Sequence, residues 1–250
     1  MGRLLHFELH KLVRRKSFYI CTLIVISIVF ATTYTTILIG KNAGAEEPYV
    51  TGTEKMLSAV GTGLLSTVIG VFIPLFVCED FTGGTIRSVI TRGYSRGGIY
   101  FSKLIAALLA CVVMAAVCMA AGYGAGTLLG GDAGGEITRE HVNLLLSQLA
   151  VVAAYCALFF AISYLIKKTG GAIAVCVLLP NILTILLALV DTKLAEQDKS
   201  ISGYWLDDLI TQLSATGVAA DDIRKALLIA LAYFSASIII SCLATSKREY

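Results

Sequence analysis

The chain has 250 residues, 57% of them hydrophobic and only 15% charged, with a mean hydropathy of +0.81, which is too apolar for a domain that must solvate its own surface. A lipid bilayer is the solvent that fits this composition. The net charge of +3 is uninformative because cations and acids nearly cancel over the whole chain, a nucleic-acid role has no support in it, and three prolines with 23 glycines suit close helix contacts in a membrane better than a collagen-like or disordered chain.

The first sixteen residues, MGRLLHFELHKLVRRK, place Leu5, Leu9, Leu12 and Val13 on one side of a helical wheel, with Arg3, His10, Lys11, Arg14 and Arg15 elsewhere. Leu4 and Phe7 interrupt the cationic side. This pattern predicts an interfacial helix along the membrane surface; charges that merely orient the first span are the plainer alternative. His6 and His10 lie one turn apart, but no third ligand accompanies them, so an ordinary polar role outweighs metal binding.

Six apolar runs then meet the requirement of about 20 residues for a membrane-spanning helix, at 17–40, 58–78, 101–129, 142–166, 170–190 and 225–245. The chain therefore reads as an all-α integral membrane protein forming a single domain. The first run is too long for the apolar part of a secretory signal and lacks a small-x-small cleavage site, so it is read as a retained span. The seven cysteines fall in or beside these runs without CxxC spacing, which makes them small buried hydrophobes rather than metal ligands or disulfide partners.

Between the second and third runs lies EDFTGGTIRSVITRGYSRGGIYFSK, residues 79–103. Glu79 and Asp80 end the second span, Gly83 and Gly84 break the helix, and Ile86, Val89 and Ile90 recur at helical spacing after Thr85. Gly93 stops the short helix, and Arg96 and Lys103 are expected at the membrane interface ahead of the third span. On spacing alone two readings stand open: the apolar triplet rests on lipid headgroups, or it docks into another protein.

The third run carries Gly122, Gly126 and Gly130 at intervals of four, a ridge for close helix approach either within the chain or between copies. Gln148 in the fourth run and Pro180-Asn181 in the middle of the fifth are candidates for lining a translocation pathway, against the alternatives of interhelical hydrogen bonding and a locally repaired kink. From Asp191 to Arg224 the connection is too long for a turn. There Tyr204, Trp205, Leu206, Leu209, Ile210 and Leu213 oppose Asp207, Asp208, Thr211 and Gln212, predicting an external helical segment with Tyr204 and Trp205 as interfacial anchors and with Tyr204, Trp205 and Leu209 as gate candidates.

Thirteen lysines and arginines but only four acids fall in the N-terminal segment, the loop after span 2, the turn after span 4 and the tail; the other side holds seven cations and thirteen acids. Both termini are therefore expected in the cytoplasm of a protein of the cell membrane. Chemistry of several kinds is missing from the sequence. It contains no phosphate-loop motif GxxxxGK[ST], no HExxH and no GxSxG. Nor does any ionisable residue fall clearly at mid-membrane depth, where ion-coupled carriers place them. The power source is expected in another chain.

The run Glu79-Asp80, Gly84-Thr85-Ile86-Arg87, Arg92-Gly93-Tyr94-Ser95-Arg96, Ile99-Tyr100 and Ser102-Lys103, together with the N-terminal LLHFELHKLVRRKSFYI, resembles the permease subunits of type 2 ATP-binding-cassette (ABC) exporters, of the bacterial peptide and antibiotic export and immunity kind. The resemblance implies that the stretch from Gly84 to Arg92 is a coupling helix seated in an ATPase subunit, with Glu79, Asp80, Gly84, Thr85, Ile86, Arg87, Val89, Ile90 and Arg92 as docking residues. It further implies an N-terminal connecting helix, a second permease copy of the same or a related chain, and two ATPase subunits that hold ATP and Mg while this chain binds neither. The cargo expected is an amphipathic peptide or lipid-like antibiotic moved outward. An ion-exporting permease of the same kind, a self-contained secondary transporter and a membrane scaffold or sensor are the competing readings.

Overall fold

The computed structural model describes residues 2–42, 51–61, 63–83, 89, 91, 93–130, 138–194, 202–215 and 218–247. Among them lie nine α-helices: α1 (Gly2–Arg14), α2 (Lys16–Asn42), α3 (Gly52–Gly61), α4 (Leu64–Thr82), α5 (Arg96–Gly130), α6 (Arg139–Ile166), α7 (Thr169–Leu194), α8 (Leu206–Gln212, after a 3₁₀ turn at Ser202–Tyr204) and α9 (Ala220–Lys247). No strand occurs among the described residues. Six of the helices, α2, α4, α5, α6, α7 and α9, are long and apolar enough to cross a membrane, and the chain is a six-span, all-helical integral membrane protein.

The core is built where α4, α5 and α6 meet. Phe72, Phe76, Phe159, Phe160, Tyr155 and Met114 are sealed from solvent, and Tyr100 of α5 meets the rings of Phe160 and Tyr164 edge-on at 5.3 Å each. Around this core α2 lies on α5, α7 on α4 and α9 on α6. Their outer faces carry exposed Leu, Ile and Val, among them Leu23, Leu186 and Leu228, as helices bathed in hydrocarbon do.

The second span departs from its predicted bounds. Instead of one run from Ser58, the chain forms the separate helix α3 and re-enters at Leu64, because Gly63 adopts φ +68, a left-handed conformation that suits glycine. Helix α3 packs into the glycine ridge of α5. A Cβ on Gly122 would come within 2.7 Å of the Lys55 carbonyl and one on Gly126 within 2.8 Å of the Gly52 Cα. At these two positions the ridge is an intrachain seat.

Prolines in α4 and α7 shape a second close approach. Pro180 has no N–H for the carbonyl of Cys176 four residues earlier, and Gly70 of α4 packs against that same carbonyl, where a Cβ would lie 3.2 Å from its oxygen. Asn181 bends its side-chain amide back to the Val177 carbonyl at 2.7 Å, so the polar pair is accommodated within its own helix.

Candidate functional site

At the end of the bundle that carries α1, six charged side chains converge. Glu8 and Lys11 come from α1, Arg15 from the one-residue joint to α2, Glu79 and Asp80 from the last turn of α4, and Lys103 from the second turn of α5. Asp80 pairs with both Lys103 and Lys11, and Arg15 reaches Glu79 at 2.6 Å and Asp80 at 3.4 Å. Glu8 stands 4.0 Å from Lys103. Three acids and three bases balance, which is the condition for keeping Glu8, Asp80 and Lys103 at 5%, 2% and 1% exposure.

Arg15 also donates to the Leu75 and Phe76 carbonyls at 3.1 and 3.5 Å, and its guanidinium and the Lys103 ammonium both lie over the Phe76 ring, 5.2 and 5.5 Å from the centroid. Burial pulls the Lys11 ammonium and the Arg15 guanidinium below their ordinary pKa values, and the neighbouring carboxylates Glu8 and Glu79 partly offset that.

This arrangement corrects three expectations. The face of α1 turned into the protein is Leu4, Glu8 and Leu12, while Val13 is exposed, because α1 lies on α5 and its one acid is drawn to Lys103. Lys103 does not sit at a lipid interface; it is enclosed by the cluster. Asp80 faces inward, and of the two acids only Glu79 keeps an exposed side chain.

The cluster stands at the root of the segment expected to dock. Helix α4 closes on Gly83, whose N–H donates to the Glu79 carbonyl at 2.8 Å, and α5 begins at Arg96. Between them Val89 is helical and half-buried and Thr91 helical and exposed. Gly84, Thr85, Ile86, Arg87, Ile90 and Arg92 lie outside the described residues.

At the opposite end, α4, α7 and α8 enclose a cleft of about 330 Å³. Pro180, Asn181 and Thr184 of α7, Thr67 at the start of α4, and Asp207 and Thr211 of α8 are among its walls. Thr184 holds α8 in place: its hydroxyl lies 3.0 Å from Asp207 Oδ2 and accepts the Trp205 indole N–H at 3.0 Å. Trp205, with Leu206, Leu209, Ile210 and Leu213, is buried, and Tyr204 is 64% exposed. Trp205 is thus an internal strut and not an interfacial anchor, because Thr184 supplies an acceptor inside the protein.

Gln148 does not reach the cleft. It is fully buried, and its amide nitrogen lies 3.0 Å from the Leu57 carbonyl, 3.2 Å from the Leu213 carbonyl and 3.2 Å from Ser214 Oγ, tying α3 and the end of α8 to α6. Among the described residues no group of three or more His, Cys, Asp and Glu side chains could hold a metal ion.

The family model described as ABC-2 family transporter protein matches residues 4–191. That range takes in the charge cluster, the stretch from 79 to 103 and both sides of the α4–α7 crossing. No curated protein matches the sequence.

Proposed function

Because the chain belongs to the ABC-2 family of transporter proteins, we propose that it is the permease of an ATP-driven exporter that works with two separate ATPase subunits and a second permease copy. The ATPases dock on residues 84–92 at the cytoplasmic face, with both termini on that side, and they hold the ATP and Mg. Closure of the ATPases pushes the segment, the paired permeases rock, and the cargo site exchanges access. The cargo is amphipathic, a peptide or a lipid-like antibiotic, because the cleft sets apolar Leu64, Val177 and Ile185 beside polar Asn181, Thr184 and Asp207.

The charge cluster is the observation that supports this reading. It joins the end of α4, the start of α5 and all of α1 into one unit at the root of residues 84–92, so force applied there reaches three helices together. A loop that only recruits a partner needs no such fastening.

The test uses Val89, whose neighbours Ile86 and Ile90 share its helical spacing. Burial of each side chain in a partner contributes roughly 1.5–3 kcal/mol, and an aspartate at the same place adds a desolvation cost. Val89→Asp is expected to abolish co-elution of the permease with a candidate ATPase subunit, or to uncouple cargo-stimulated ATP turnover. Retention of both at wild-type levels removes residues 84–92 as the coupling element.

A further inference from the structure

The cleft between α4, α7 and α8 holds a carboxylate with no cationic partner among the described residues. Asp207 Oδ2 accepts the Thr184 hydroxyl at 3.0 Å, while Oδ1 is shielded from solvent and has the buried Tyr155 hydroxyl, a neutral donor, as its neighbour. No lysine or arginine among the described residues pairs with it. At the other end of the same bundle every buried acid has a cationic neighbour. A half-buried carboxylate beside an open cleft, with no cation among its described neighbours and the like-charged Asp208 next to it, is the condition under which an incoming cation gains most.

We propose that this cleft is a binding site for a protonated amine carried on an apolar body. The neighbouring walls explain the choice of cation. Among the described residues Asp207 is the only carboxylate lining the cleft, and a divalent metal needs more charged oxygen ligands than one, whereas an ammonium group is served by one carboxylate with the Thr211 and Thr67 hydroxyls and the Asn181 amide oxygen as further acceptors. Pro180 and Ile185 offer apolar surface for an alkyl chain, and about 330 Å³ accommodates a group the size of an alkylamine. As a statement about transport it rests on the exporter reading and narrows its cargo to cationic amphipaths; as a statement about binding it stands alone.

The probe is a dansyl group joined through a pentyl chain to a primary amine, with its N-acetylated form as the neutral match, titrated by fluorescence against the full chain in nanodiscs. Wild type is expected to bind the amine at least about tenfold more tightly than the acetyl form, with calcium chloride failing to compete at ionic strength matched by sodium chloride. Asp207→Asn should erase the preference while keeping the acetyl form's affinity, and Asp208→Asn should leave it intact. Thr211→Lys, which sets an internal cation one helical turn from Asp207, should erase it as well and serves if Asp207→Asn does not fold. Equal binding of the two probes by wild type, calcium competition beyond the salt control, or a preference surviving in either Asp207→Asn or Thr211→Lys overturns the proposal. Co-elution with the ATPase is measured on the same preparations: its loss counts against the exporter reading and leaves the binding result standing, and the reverse holds as well.

Discussion

Lys103 sits two turns into an apolar helix, and its ammonium is held by the carboxylates around it and by the face of the Phe76 ring. Lys103→Met removes the ammonium that stands 4.0 Å from the buried Glu8 and leaves the buried Asp80 with Lys11 and Arg15, both only partly buried, as its cations, and is expected to cost about 3–5 kcal/mol. Adding Asp80→Asn removes one of the stranded charges and should recover part of that loss. Denaturant unfolding in mixed micelles of the two single variants and the double variant measures the coupling directly. A coupling near zero would mean that the cluster is a set of independent surface charges. In the sequence Asp80 and Lys103 are visible only as charges flanking spans, since a pairing across 23 positions leaves no periodic trace. Glu8 did leave one. It lies four residues from both Leu4 and Leu12, on the stripe that proves to be buried, and a lone acid there signals an internal partner.

The contact between α3 and α5 shows what an element-scale pattern does and does not reveal. Gly122 and Gly126 are close to backbone atoms of α3, whereas Gly124, between them, has open space around it. Gly122→Val or Gly126→Val should therefore destabilise the protein by about 1–3 kcal/mol through overpacking, and Gly124→Val should have little effect on the melting temperature. Equal effects at all three positions would point to loss of glycine itself rather than to the seat. The ridge was legible as a run of small residues, but its occupant was not. Residues 52–61, GTEKMLSAVG, run almost directly into the next apolar stretch, and the break that frees α3 depends on a left-handed turn at Gly63 that composition does not specify. The six spans were readable because a bilayer imposes a minimum length on any helix crossing it. Trp205 misled for a related reason: an aromatic pair next to a span suggests a membrane interface, and only the fold brings Thr184 to the indole.

At the scale of the whole molecule the bundle has two chemically different ends. One gathers α1, Glu79, Asp80, Lys103 and Lys167, whose ammonium lies 5.5 Å from the Phe81 ring centroid, and the end of α9, where Ser241 meets Tyr100. The other holds α3, α8 and the start of α9 with Asp221 and Asp222. If the cation-rich end faces the cytoplasm, residues 84–92 stand where an ATPase can reach them and the Asp207 cleft opens toward the outside. The orientation is tested with single cysteines at two exposed positions, Arg14 and Tyr204, after replacement of the seven native cysteines, six of which are buried. A membrane-impermeant maleimide applied to intact cells is expected to label Tyr204→Cys at once and Arg14→Cys only after permeabilisation. The opposite pattern would place residues 84–92 outside the cell, away from any source of ATP, and the exporter mechanism would fail on topology alone, whatever the affinity of the cleft.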